Sequence, residues 1–200
     1  MRTVTMTREY FTYDELSDDA KEAARDWWRE GDLEYRWYEP TEEDFKTILE
    51  KLGFWNVETR FTGFWSQGDG ASFTARYSYS KGAARALKEY APQDAELHRI
   101  ADELQALQKR NFYQLWADVS QWPSRYCHEM TMRADITRND TQYREPTADA
   151  EDTFIELCRE LARWYYSALE SEYNYLMNDE SVAETITANG YEFTADGSIA

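Results

Sequence analysis

The sequence predicts an α+β fold: a mainly antiparallel sheet of four to five strands packed by helices, with a long C-terminal helix. Two observations carry that expectation. Apolar residues recur at i, i+3, i+4 and i+7 in several segments, the spacing of one helix face. Elsewhere the period switches to two, over matched stretches separated by turn residues, which reads as hairpins.

The elements follow in order. Thr3-Val4-Thr5-Met6 alternates and is β-branched, a short strand. Ser17, followed by Asp18 and Asp19, opens a helix to about Glu30 that ends at Gly31, with acidic residues against the positive end of the helix dipole. Pro40-Thr41-Glu42-Glu43-Asp44 starts a second helix with a capping-box-like Thr41/Asp44 pair. Its stripe is Phe45, Ile48, Leu49 and Leu52, and Gly53 is the natural stop. Val57, Thr59, Phe61, Gly63 and Trp65 then share one strand face. Ala71, Phe73, Ala75, Tyr77 and Tyr79 share another, across the turn Ser66–Gly70. Lys81–Ala91 and Asp94–Asn111 are helices broken at Pro92, the second capped by Asp94 and striped by Leu97, Ile100, Ala101, Leu104 and Leu107. Two more strands follow, Tyr113 to Val119 and Tyr126 to Ile136, turning at Trp122-Pro123-Ser124. After the polar loop Thr137–Pro146 comes the long helix, about Ala148 to Asn178, with stripe Phe154, Leu157, Cys158, Leu161, Trp164, Tyr165 and Ala168. A short helix from Glu180 to Ala188 and a last strand, Tyr191-Glu192-Phe193, close the chain. No internal repeat is visible, so residues 1–200 read as a single domain, with 147–200 as a possible helical subdomain.

Charge bounds the function. With 22 Lys and Arg against 39 Asp and Glu, the net charge is −17. That argues against direct binding of nucleic-acid phosphates or of an anionic membrane, since like surfaces repel. Hydrophobic residues at 42% supply a core, and no apolar run is long enough to span a bilayer. The start of the chain also lacks a signal-peptide core, so the expected location is cytoplasmic. Residues 1–60 hold 16 acidic and 9 basic side chains (net −7), 61–144 hold 10 and 11 (net +1), and 145–200 hold 13 and 2 (net −11). The acidity is therefore on the terminal helices, where Glu151, Asp152, Glu156 and Glu160 are the candidate binding residues. It is either a solvated face or a surface that docks on a basic groove by imitating a polyanion.

Aromatic residues are abundant, with 8 Trp, 15 Tyr and 9 Phe. Adjacent ones such as Trp27-Trp28 and Trp37-Tyr38 cannot all face a core, and a patch of this kind favours a homodimer. Two cysteines, Cys127 and Cys158, and two histidines, His98 and His128, show no metal-ligand spacing. No metal, cofactor or catalytic residue is expected, and the chain is not read as an enzyme.

The segment Gly63-Phe64-Trp65-Ser66-Gln67-Gly68-Asp69-Gly70-Ala71-Ser72-Phe73 concentrates a small polar cluster of Ser66, Gln67 and Asp69 beside Trp65. It is a tight turn, a recognition loop or, least of all, a catalytic loop, because no acid–base partner is placed near it in sequence. Together with Tyr13–Lys21, Leu97–Ala101 and Tyr191–Thr194, this segment resembles an acidic protein family of bacteriophages and prophages, some members labelled antitoxin-like. The resemblance spans nearly the whole chain and carries over no catalytic residue. It implies a viral origin and an accessory role inside a bacterial cell. Taken with the acidic charge, that origin points to a protein of the host bacterial cytoplasm that binds and inhibits or modulates a host protein, one with a basic nucleic-acid-binding surface being the natural target. The alternative is an antitoxin-like or ligand-sequestering module that uses the Ser66–Gly70 loop.

Overall fold

A computed structural model describes residues 8–31, 33, 35–139 and 144–200. The strand expected over Thr3–Met6 and part of the Thr137–Pro146 loop lie outside the described residues. In chain order the elements are β1 (Phe11–Thr12), α1 (Asp18–Glu30), α2 (Glu39–Leu52), β2 (Phe54–Phe61), β3 (Ala71–Ser78), α3 (Ala83–Tyr90) and α4 (Ala95–Arg110). These are followed by β4 (Leu115–Gln121), β5 (Met132–Arg138), α5 (Ala150–Leu176), α6 (Asp179–Asn189) and β6 (Glu192–Phe193). The class is α+β, as expected. The chain divides into two compact units, Tyr38–Glu170 on one hand and the residues up to Trp37 with Ser171–Ala200 on the other. The segment from 147 is thereby shared between them, and each unit has its own core.

In the larger unit, β2, β3, β4 and β5 form one antiparallel sheet in that order. Phe54, Phe73, Tyr77, Leu115, Val119 and Met132 are buried on one face, against Phe45, Leu49, Leu104, Phe154 and Leu161 of the helices. Phe45 of α2 stacks on Tyr165 of α5 with ring centroids 4.4 Å apart and meets Phe73 of β3 edge-on at 5.6 Å. Burying one such side chain contributes about 1.5–3 kcal/mol, so each ring of this aromatic layer adds materially to the stability of the unit. Arg76, Trp116, Asp118, Asp135 and Thr137 remain exposed on the opposite face. The helical stripes of α2 and α4 are buried as their spacing requires.

Several boundaries differ from the expectation, each for a local reason. Tyr38 occupies the N-cap of α2 without a side-chain bond to the helix N-terminus, and Pro40 sits in the first turn. The fixed φ of proline starts the helix there, ahead of the expected Thr41/Asp44 capping box. Strand β2 ends at Phe61, so Gly63 and Trp65 belong to the loop; a bulge between Trp55 and Glu58 is accommodated by Asn56 at φ 53°. Strand β4 begins at Leu115 because Phe112 and Tyr113 adopt φ of 56° and 61°, outside any strand geometry. Strand β5 begins only at Met132. His128 Nδ1 accepts the Met130 N–H at 3.2 Å, and the His128 carbonyl accepts that of Thr131 at 3.0 Å. That local cap turns 129–131 into a short 3-10 helix and takes Tyr126, His128 and Met130 off the sheet.

In the smaller unit, Ser17 caps α1 and Asn178 caps α6, whose exit is the left-handed Gly190 at φ 66°. Strands β1 and β6 pair antiparallel, Phe11 opposite Phe193. Tyr13, Leu16, Ala20, Ala24, Val182, Ile186 and Phe193 make the core. Among the described residues no helix is long and apolar enough to cross a membrane.

Candidate functional site

The β2–β3 loop is built to hold its tip still. The pairing of Phe61 with Ala71 is extended by the Thr62 N–H, which donates to the Gly70 carbonyl at 3.0 Å. Across the base of the loop, Asp69 Oδ2 accepts the N–H of Trp65 at 3.1 Å and of Ser66 at 2.7 Å. The Asp69 N–H donates back to the Ser66 carbonyl at 3.0 Å, closing the turn from both ends. On one side the Tyr166 hydroxyl donates to the Gly63 carbonyl at 2.9 Å, with the Phe64 ring 5.4 Å from that of Tyr166. On the other side Gly68, at φ +93°, lies so close to Tyr126 that a Cβ there would stand 2.6 Å from the ring. A Cβ on Gly70 would stand 2.7 Å from the His128 Cα. Both glycines are there to let the two loops touch.

The second loop, residues 122–131, is fixed as firmly. Gln121 Nε2 donates to the Tyr126 carbonyl at 3.2 Å and to Thr131 Oγ1 at 2.8 Å. Arg125 lies over the Tyr126 ring at 4.9 Å and donates to its hydroxyl at 2.7 Å. Together the loops make one lobe at one end of the sheet. Its surface carries Trp65 at 72% exposure, Trp122 at 56% and Met130 at 58%, with Ser66, Gln67 and part of Tyr126 among them. Exposed tryptophan and tyrosine on an ordered backbone lose little conformational entropy on contact, which is the composition of binding hot spots.

The sequence-predicted residues divide. Trp65, Ser66 and Gln67 share the exposed tip. Asp69 does not reach outward, because its carboxylate is taken up by the backbone of its own loop. Tyr126 and Trp122 were missed as partners of the tip; the cue was Gly68 and Gly70, which signal a close approach without naming what approaches. On α5, Asp152, Glu156 and Glu160 lie at i, i+4 and i+8 on one helix face, while Glu151 lies to one side. That face is not uniformly negative. Glu160 accepts from Arg99 at 2.9 Å, and Glu156 from Arg163 at 2.7 Å and Arg159 at 3.5 Å. The Arg163 hydrogen bond holds the Glu156 carboxyl below its usual value, with Arg159 adding to the effect. Glu151 and Asp152 remain exposed in the first turn.

Reactive groups elsewhere are occupied structurally. The His98 ring contacts the Ala91 carbonyl at 2.8 Å, and His128 caps the turn described above. Cys158 is fully buried, and burial pushes its thiol up. Burial also raises the Tyr166 phenol, with Asp69, Glu170 and Glu129 adding to the shift. Among the described residues no three His, Cys, Asp or Glu side chains converge as a metal site.

Residues 37–179 match the model of a family described as a domain of unknown function, DUF8835. No curated protein and no solved structure matches the chain.

Proposed function

The chain belongs to the DUF8835 family, and we propose that it is a phage-type accessory protein that binds and inhibits or modulates a host protein, with the two-loop lobe as its contact surface. The observation that carries this reading is Trp65, 72% exposed at the tip of a loop that its own residues and the neighbouring loop immobilise. A tryptophan held rigidly in solvent gives up little on binding and removes a large apolar area from water. The lobe presents hydroxyl, amide and aromatic groups, a chemistry suited to recognition.

Polyanion mimicry by the terminal helices is the competing source of affinity, and the pairing of Glu156 and Glu160 with arginines weakens it. The test is affinity capture from bacterial cells with the intact chain, Trp65→Ala, Gln67→Ala and the double reversal Glu151→Lys/Asp152→Lys. Trp65→Ala is expected to lower partner affinity ~10-fold or more without moving Tm, because hot-spot truncations cost ~2 kcal/mol or more. The double reversal is expected to leave affinity nearly unchanged. The opposite pattern, with binding that collapses as salt rises, would transfer the contact surface to the acidic helices.

A further inference from the structure

The smaller unit carries a cleft of ≈ 330 Å³ that the proposed function does not use, lined by Trp27, Trp28, Tyr35, Thr185, Asn189 and Tyr191. The rings of Trp27 and Tyr191 meet at 80° with centroids 5.3 Å apart and form a corner. Trp27 is anchored from behind by an edge contact to the buried Phe193 at 5.8 Å. Tyr35, at 58% exposure, closes the lining towards solvent.

Four aromatic rings line this space and, among the described residues, no lysine or arginine does. The arginines of the adjoining helix are engaged elsewhere: Arg25 donates to the Tyr13 hydroxyl at 2.7 Å, and Arg29 donates to the Met177 carbonyl at 3.1 Å and pairs with Asp26 and Asp179. The polar groups of the wall offer oxygen. Asn189 donates its amide N–H to the Thr185 carbonyl at 2.8 Å, and among the described residues its Oδ1 accepts nothing. The surrounding charge points the same way. The residues up to Trp37 and from Ser171 hold 16 acidic and 6 basic side chains, net −10. An anion has no counter-charge in such a cleft, and a neutral ligand leaves the field unused. A cation gains both the negative faces of the rings and the potential of the unit.

We propose that this cleft binds an alkylated ammonium group, the head group shared by choline-like small molecules and methylated lysine side chains. The recognition is cation–π contact in an aromatic corner, with the partial negative charge of Asn189 Oδ1 at the rim.

The experiment is an NMR titration of the full chain, following the Trp27 and Trp28 indole N–H signals. Three probes are compared: choline, its neutral isostere 3,3-dimethylbutan-1-ol, and a short peptide bearing one trimethyllysine. At least one cation is expected to saturate those signals, and the isostere to bind ~10-fold more weakly or worse. A tighter peptide identifies a protein-borne ligand; tighter choline identifies a free one. Tyr35→Ala and Tyr191→Ala, both at exposed rings, are expected to weaken the cation ~10-fold with Tm unchanged. Equal binding of the isostere, or no saturation by either cation, overturns the proposal. Trp65→Ala leaves this titration unaffected, so failure here and failure of the lobe as a partner site are separate results.

Discussion

Removing the Asp69 carboxylate deprives two backbone N–H groups of their acceptor at the base of the β2–β3 loop. Water replaces part of what is lost at an exposed site, so Asp69→Ala is expected to cost about 1 kcal/mol in chemical denaturation. It should still weaken partner binding by disordering Trp65. Gln67→Ala, which removes no internal bond, should affect binding alone. Gly70→Ala is expected to cost more, ~2 kcal/mol, because the new methyl group meets the backbone of His128 rather than a flexible side-chain end. If Asp69→Ala and Gln67→Ala behave alike in both assays, the loop has no separate latch and contact residues. The two thiols give a second check at this scale. Cys158 is fully buried, so Ellman's reagent should titrate one thiol, the half-buried Cys127, in the native protein and both after denaturation.

At the scale of elements, Asp94 serves two helices at once. Its Oδ1 accepts the Leu97 N–H at 2.9 Å, capping α4, and its Oδ2 accepts from Trp164 Nε1 of α5 at 2.8 Å. Asp94→Ala should therefore cost about 2 kcal/mol, cap and indole bond together. Asp94→Asn keeps the cap but turns an N–H towards a donor, and should cost about half as much. No loss in Asp94→Asn would mean the indole bond contributes nothing, and equal losses for the two variants would mean the cap contributes nothing. The cap was legible in the sequence, since Asp94 stands three residues before Leu97 and behind Pro92; the indole partner, 70 residues away, was not. The same division runs through the fold. Helix stripes such as Phe45, Ile48, Leu49 and Leu52 were readable because burial on a helix imposes a period on local sequence. Strand β1 is only two residues long and its partner lies at the other end of the chain, so it leaves no periodic trace. The alternation from Tyr126 to Met130 is present in the sequence, but the His128 cap overrides it. In the candidate site, the exposed tip could be read from the turn residues and Trp65. The second loop could not, because what holds it there is contact rather than spacing.

For the whole molecule, the surplus of acid sets how stability responds to solvent. At −17 the folded chain repels itself at neutral pH, and the ion pairs are mostly at the surface. Exposed pairs contribute ~0.2–1 kcal/mol each and fade with salt, whereas the summed repulsion is relieved by it. Raising ionic strength from ~20 to ~500 mM is therefore expected to raise Tm, and a fall would show that the pairs outweigh the net charge. Glu156 works in the opposite sense on acidification. Its folded carboxyl sits below the ordinary 4.5, so its contribution is complete above that value and disappears as pH drops through the lowered one. Being half exposed, it should be worth only a few tenths of a kcal/mol, seen as a slightly shallower acid limb in Glu156→Gln.

The smaller unit is assembled from chain segments with more than a hundred residues between them, and this has a kinetic consequence. Helix α1 buries Ala20 and Ala24 against Val182, Ile186 and Phe193, side chains from the other end of the chain. Closing a loop of that length costs about 4 kcal/mol of chain entropy if the intervening segment is still unfolded, growing as (3/2)RT ln n. A folded 38–170 segment lowers that cost, because the intervening chain has already given up its conformational freedom. The order of events follows: the sheet unit forms first, and the two ends zip together afterwards. Pulse-labelling hydrogen exchange during refolding should protect Leu49 and Phe73 amides before those of Ala24 and Ile186, and simultaneous protection would mean the chain folds in one step.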